Sequence, residues 1–324
     1  MDTLTHGLFG LAIGALRRRE PAKSPLTPTE KAVLLACVLA AEIPDLDYLL
    51  PAGDPVLVTL RAHRGLSHSL MMAPAVAAIA TLVARLVFRS ARTSAVVLQA
   101  LVAVVFAHLL PDLWTGWGTR ILLPWSAERM TLDWTVVVDP LVTLPLLVGA
   151  VLAFRARAVD YRRPLWIGLG VTVAYLGARI SIRASLQSTV ESAYGTADVN
   201  VFPAPLRVLQ WRYVAETGAE YAVGTISLGG DPVEEGRHPR GVEAANDLRG
   251  PTVVDEVLAW ARYPTVTVLA REDGGKTLTV ADLRYHAGGE PTLKFIVELA
   301  GDGSVESARL DRGSARDLVD RFRR

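Results

Sequence analysis

Five apolar runs low in charge, at residues 31–50, 69–88, 94–111, 135–154 and 165–181, constrain this 324-residue chain more than anything else in it. Each is close to the ~20 residues that carry a helix across the ~30 Å hydrocarbon core of a bilayer. In that core the backbone must satisfy its own N–H and C=O groups, which favours helix for each span. A mean hydropathy of +0.30, with 51% hydrophobic and 21% charged residues, fits a chain with a membrane part. A shorter run, 4–16, is marginal for crossing and reads as a sixth segment, either a short span or a re-entrant helix. Arg17, Arg18 and Arg19 follow it rather than precede it, the reverse of a secretory signal, so the N-terminal segment is expected to be retained.

Basic residues gather in alternate connections: Arg17, Arg18, Arg19, Lys23 and Lys31, then Arg89 and Arg92, then Arg155, Arg157, Arg162 and Arg163. The positive-inside rule makes these cytoplasmic, and puts 42–68, 111–134 and both termini on the other side. After Arg183 the pattern changes. The stretches 206–214, 220–228, 265–270, 276–280 and 293–299 alternate or carry β-branched residues, with GGD, EDGG and GDGS as turns and one short helix at 255–262. The expected fold class is therefore an α-helical polytopic membrane domain (residues 1–183) with an appended small soluble α+β domain, rich in strands (184–324).

Thirty-four Lys and Arg against 33 Asp and Glu leave a net charge of +1, so no nucleic-acid partner is expected. A single cysteine, Cys37, excludes an intramolecular disulfide and a Cys-based zinc cage, and reads as small apolar filler.

Four of the six histidines lie in the membrane part, where ionisable side chains are costly unless they line a cavity or have partners. Carboxylates recur beside them: Asp45 and Asp47 in EIPDLD, His63 and His68 flanking HRGLSH, His108 and Asp112 in HLLPD, Asp133 and Asp139 in LDWTVVVDP. On the topology above, each of these, and His6, falls at the non-cytoplasmic end of its helix. Imidazole with carboxylate is a ligand mix that suits zinc or a similar divalent ion. Taken singly, each has a blander reading: a lone His near a helix end is usually interfacial or hydrogen-bonded, and an Asp at a helix start usually a cap. His108 and Asp112 are four apart and share a helix face. His63 and His68 are five apart and need a loop or helix start, which Gly65 and Ser67 permit. Arg64 and Arg120, on the same side, read either as anion binders or as snorkelling residues. Trp114, Trp117, Trp125 and Trp134 read as an interfacial belt, and His238 and His286 as surface residues.

MDTLTHGLFG, EIPDLD, HRGLSHS and HLLPD, in that order over residues 1–180, resemble the bacterial inner-membrane, metal-dependent hydrolases, one branch of which carries a LexA-binding label. WRYVAE, ARYPTV and ADLRYH resemble the appended domain of the longer members. That family is in turn distantly similar to the zinc-dependent phospholipase C and P1 nuclease superfamily, whose three zinc ions are held by His and Asp. The resemblance implies His6, Asp45, a His of the 63–68 loop, His108 and Asp112 as ligands. The superfamily also uses its mature amino-terminal residue, whereas Met1 here precedes His6 by several positions. One or two ions are thus expected, zinc with manganese as the variant.

The expected metal ligands are His6, Asp45, His63, His68, His108 and Asp112, with His63 and Asp112 completing the site or orienting other ligands. Asp47 or Asp133 would orient a water or act as base, and Arg64 would stabilise charge on a phosphoryl oxygen. The expected function is hydrolysis of a phosphoester or other amphiphilic substrate beside membrane lipid. A transporter would need polar residues along a path through the bilayer, whereas here they gather at one face. A non-catalytic, metal-stabilised membrane binding or regulatory protein is the alternative.

Overall fold

The computed structural model describes residues 1–16, 26–49, 54–155, 161–205 and 207–312. Arg17, Arg18, Arg19, Lys23 and Arg157, on which part of the topology reading rests, lie outside the described residues. The chain divides into two compact units, Met1–Leu50 with Ala62–Ile180, and Pro51–Arg61 with Ser181–Arg324.

In the first unit, α1 (Thr3–Ala15) starts where the Asp2 carboxylate accepts from Thr5 N at 3.0 Å. Next, α2 (Pro28–Glu42) starts at a capping box in which Thr27 and Glu30 cap each other's backbone N–H. Pro44 cannot donate to the helical ladder, so the expected 31–50 span stops at Glu42 and becomes a 3-10 segment, Ile43–Leu49. The second unit contributes α3 (Pro55–Leu57), and a π-helical stretch, Val58–Ala62, leads back to a 3-10 turn, Leu66–His68. Then come α4 (Ala73–Val87) and α5 (Thr93–Ala103), which runs through a second π-helical stretch, Val104–Leu109, into α6 (Leu110–Leu113). The expected 135–154 span begins only at α7 (Pro140–Arg155), because Thr135 donates its N–H to Trp114 O and bridges to Thr115 instead. Last is α8 (Arg162–Tyr194), whose final turns, from Ser181, belong to the second unit.

Among the described residues two helices are long and apolar enough to cross a membrane, Thr93–Leu113 and Arg162–Tyr194, and a third if the bent pair Pro55–His68 and Ala73–Val87 is one span. That is fewer than six. The runs at 4–16 and 135–154 form shorter apolar helices. The core is built largely of alanine: Ala12, Ala36, Ala40, Ala77, Ala80, Ala100 and Ala103 are fully or nearly fully buried. Small residues allow close backbone approach; a Cβ on Gly10 of α1 would lie 2.5 Å from Cys37 O of α2. Cys37 is buried filler, as its sequence context indicated. Large apolar side chains such as Leu82, Leu86, Ile167 and Val173 point outward, the pattern of a lipid-facing surface.

The second unit carries two antiparallel four-stranded sheets. One has the order β1 (Val199–Ala204), β2 (Arg207–Thr217), β3 (Glu220–Ser227), β4 (Val233–Pro239). After α9 (Thr252–Trp260) come β5 (Pro264–Ala270), β6 (Lys276–Asp282), the two-residue pair β7 (His286–Ala287) and β8 (Glu290–Pro291), β9 (Lys294–Leu299) and β10 (Val305–Asp311); the second sheet is ordered β10-β9-β6-β5. Leu186 and Val190 of α8 pack with Val201, Trp211, Tyr213 and Ile226. The 54–61 stretch joins this unit through α3, which packs on α9 and β10, and Arg61 lies 3.9 Å from Glu256.

Candidate metal centre

His6, Asp45, His68 and the His108 and Asp112 pair, from four separate stretches of sequence, meet in the first unit. His6 is brought in by α1, and its ring stacks on that of His108, with centroids 4.2 Å apart. His108 lies in the π-helical stretch, a helix irregularity frequent at functional sites. His68 ends its 3-10 turn, whose start at Gly65 (φ −93°, ψ −130°) supplies the loop that HRGLSH required.

Each imidazole is aimed by a backbone or carboxylate partner on its other nitrogen. His6 Nδ1 lies 2.8 Å from Ala107 O and His108 Nδ1 2.6 Å from Ala41 O. Both contacts have the geometry of Nδ1–H donation, which leaves Nε2 with a lone pair. The Nε2 atoms of His6 and His108 and Oδ2 of Asp112 are buried without a hydrogen-bond partner among the described residues. His68 Nε2 is 3.2 Å from Asp45 Oδ1 and 3.4 Å from Asp112 Oδ2. His108 Nε2 is 3.7 Å from that Asp45 oxygen and 3.6 Å from that Asp112 oxygen. Ligands ~2.1 Å from a tetrahedral ion stand about 3.4 Å from one another, so these spacings are those of a ligand shell.

Asp45, His68, His108 and Asp112 form one group able to hold a metal ion; Asp47, His63 and His68 form a second. The two share one imidazole. Asp47 Oδ2 accepts from Ser67 Oγ at 2.6 Å and lies 3.2 Å from His68 Nδ1, while its Oδ1 lies 3.0 Å from His63 Nδ1. Asp47 is thereby placed to fix the His68 tautomer, with both oxygens engaged. Tyr48 stacks on His63 with centroids 3.9 Å apart.

Arg64 is buried, which overturns the snorkelling reading. Its backbone is left-handed (φ +56°), and its guanidinium donates to Asp112 Oδ1 at 2.7 Å and Thr115 Oγ1 at 2.8 Å. Its guanidinium is thus engaged with a carboxylate already present. The Met1 amino group also contacts Asp112 Oδ1, a neighbour that the spacing from His6 did not suggest. Three carboxylates in the two groups, Asp45, Asp47 and Asp112, thus share the site with one guanidinium and the imidazoles.

Asp133 is buried and accepts from Thr131 Oγ1 at 3.1 Å; neither group includes it. Asp139 accepts from Leu141 N and Tyr175 OH, both at 3.0 Å, the capping role that an Asp at a helix start usually has. Trp114 is buried and packs edge-on to Phe9, so it belongs to the core and not to an interfacial belt; Trp125 is exposed.

In the second unit WRYVAE, ARYPTV and ADLRYH converge as packing. Arg212 donates to His286 O at 3.2 Å, Leu283 N to Tyr263 O at 3.0 Å, and Arg284 pairs with Asp282 at 2.8 Å while lying over Trp260. His286 is fully buried, not a surface residue; His238 is half-buried with Nε2 2.6 Å from Gly289 O.

Apolar helices around a buried His and Asp cluster define an integral membrane protein with a candidate metal centre. The profile of the YdjM inner membrane protein family matches residues 1–186, more than half of the chain. The chain belongs to that family. Along nearly its whole length it is also similar to a protein of Bacillus subtilis (strain 168) named uncharacterized protein YfhP, at 22% identity over 313 residues, 95% of this chain and 94% of that one. No solved structure matches.

Proposed function

We propose that this protein is a membrane-bound, metal-dependent hydrolase of a phosphoester or lipid-like substrate. The observation that carries the proposal is the set of buried, unpartnered ligand atoms, His6 Nε2, His108 Nε2 and Asp112 Oδ2, beside His68 and Asp45. Asp45, His68, His108 and Asp112 would hold a divalent ion, zinc in first place and manganese in second, with His6 against the other Asp112 oxygen. When bound, such an ion supplies activation of water and a Lewis acid for a phosphoryl oxygen. Asp47 orients His68 and His63, and Arg64 fixes and neutralises one oxygen of Asp112. Asp45, the least buried of the first group, offers the side open to substrate, with 14% of its side chain accessible. The positive-inside pattern supports a non-cytoplasmic site and C-terminal domain, in reach of lipid headgroups.

One observation favours the second reading, a metal-stabilised binding or regulatory protein: Asp47 and Arg64, which the sequence offered for base and phosphoryl contact, are both engaged internally. The test is metal analysis of the purified protein together with turnover of phosphodiesters and phosphomonoesters presented in micelles. The hydrolase reading expects bound zinc or manganese, turnover abolished by chelation and restored by either metal, and joint loss of metal and turnover in His108→Ala and Asp45→Asn. Stoichiometric metal with no cleavage across phosphoesters, esters and amides refutes it in favour of the second reading.

A further inference from the structure

A cavity of about 670 Å³ opens between α7 and α8, and none of its lining residues belongs to either His and Asp group. Its walls are Leu141, Leu144, Val148 and Leu152 on α7 and Ile167 and Val171 on α8, with Arg163 as its charged side chain. Glycine creates the trough. A Cβ on Gly149 would lie 2.7 Å from Pro164 O, and one on Gly168 would lie 2.4 Å from Pro145 O. The two backbones therefore touch where the helices cross, and the larger side chains stand to the side as walls.

The same contacts fix the direction. Pro145 faces Gly168 and Gly149 faces Pro164, so the helices run antiparallel and Arg163 lies at the Leu152 end. From Leu141 to Leu152, eleven residues at ~1.5 Å each give a trough about 16 Å long, the depth of one bilayer leaflet. At the charged end the Arg162 guanidinium also lies 4.6 Å from the ring centroid of Trp166, a cation and aromatic pairing typical of headgroup level. Val148, Ile167 and Val171 are each at least half exposed and present apolar surface to whatever fills the trough.

We propose that this groove binds one acyl chain of an anionic phospholipid, with Arg163 meeting the phosphate. An apolar trough one leaflet long, closed at one end by positive charge, is complementary in both shape and charge to such a lipid. A second copy of this chain would leave two Arg163 groups without an anion.

The experiment is native mass spectrometry of the full-length protein in detergent, titrated with phosphatidylglycerol and phosphatidylethanolamine of identical chains. Wild type is expected to retain one phosphatidylglycerol at least several-fold in preference to phosphatidylethanolamine. Arg163→Gln should remove that preference while keeping retention. Val148→Trp and Ile167→Trp, which fill the trough from opposite walls, should each remove the retained lipid, and thermal unfolding in parallel identifies which of them is folded. Equal retention of the two lipids by wild type, undiminished retention in a folded Trp variant, or a dimer lost in that variant would overturn the proposal. Metal content is read on the same samples, so failure here is distinct from failure of the hydrolase reading.

Discussion

Replacing Asp112 by Asn separates the two tasks of its carboxylate. The side chain is 1% exposed, and its Oδ1 neutralises Arg64, itself 3% exposed, across 2.7 Å. Its Oδ2 stands among the histidine nitrogens, 3.4 Å from His68 and 3.6 Å from His108. Asparagine keeps the shape and removes the charge, leaving a guanidinium buried without a counterion, which costs about 3–5 kcal/mol. At ~2–4 °C per kcal/mol for a unit of this size, that is a fall in Tm of roughly 6–20 °C. Arg64→Gln in the same chain removes the orphaned charge, so the double variant should be more stable than the sum of the single losses by about 0.5–3 kcal/mol. Zinc should raise the Tm of wild type by binding only the folded state, and neither Asp112→Asn nor the double variant should show that rise. The assay is thermal unfolding in detergent micelles with and without zinc. Additivity within ~0.5 kcal/mol, or a zinc response that survives Asp112→Asn, would refute the reasoning.

Asp47→Asn should weaken metal binding by about 10–100-fold without changing stoichiometry, because Asp47 orients His68 from its far side; competition with a chromophoric chelator measures this, and an unchanged affinity counts against it. His286, buried and beside the Arg212 cation, has its pKa lowered from 6.5 to about 3. The unfolded chain takes up a proton near 6.5 that the fold refuses until about 3, so stability is complete above pH 6.5 and falls by roughly 5 kcal/mol as pH drops toward 3. His286→Phe should flatten that slope in unfolding followed by tryptophan fluorescence, and an unaltered slope would show that another group sets it.

The site was legible as far as composition and order carry. EIPDLD, HRGLSH and HLLPD each bring a His or Asp to an element end, and the cost of ionisable groups in lipid makes their coincidence informative before any contact is known. What stayed hidden depends on tertiary approach. Nothing local in HLLPD marks a π-helical stretch, and Arg64 reads as a solvent-seeking cation until Asp112 is beside it. Trp114 looked interfacial because Trp117 and Trp125 follow closely, yet its place is set by Phe9, over a hundred residues away. In the second unit β9 showed itself by alternation, since one of its faces is buried, while β2 and β3, with runs buried on both faces, and β5 and β6 showed themselves by their apolar and β-branched residues. The missed β1, β4 and β10 are all edge strands. VEEGRHP and VESARLD carry too few apolar residues to show a buried face, and β1 contains Pro203, which edge strands tolerate.

The 54–61 stretch sets an order of events during synthesis. Its packing partners, α9 and β10, begin at Thr252 and end at Asp311. After Leu57 leaves the ribosome, about 195 residues must follow before α9 begins to appear, some 10–40 s at bacterial elongation rates of ~5–20 residues per second. Throughout that interval His6, Asp45, His68, His108 and Asp112 are all already made or soon to be made, while the α3 segment between Asp47 and His63 has nothing to dock on. Nascent chains halted before Thr252 should therefore carry all five of these residues yet protect 54–61 poorly from protease, and completion of the C-terminal unit would be the step that closes the segment.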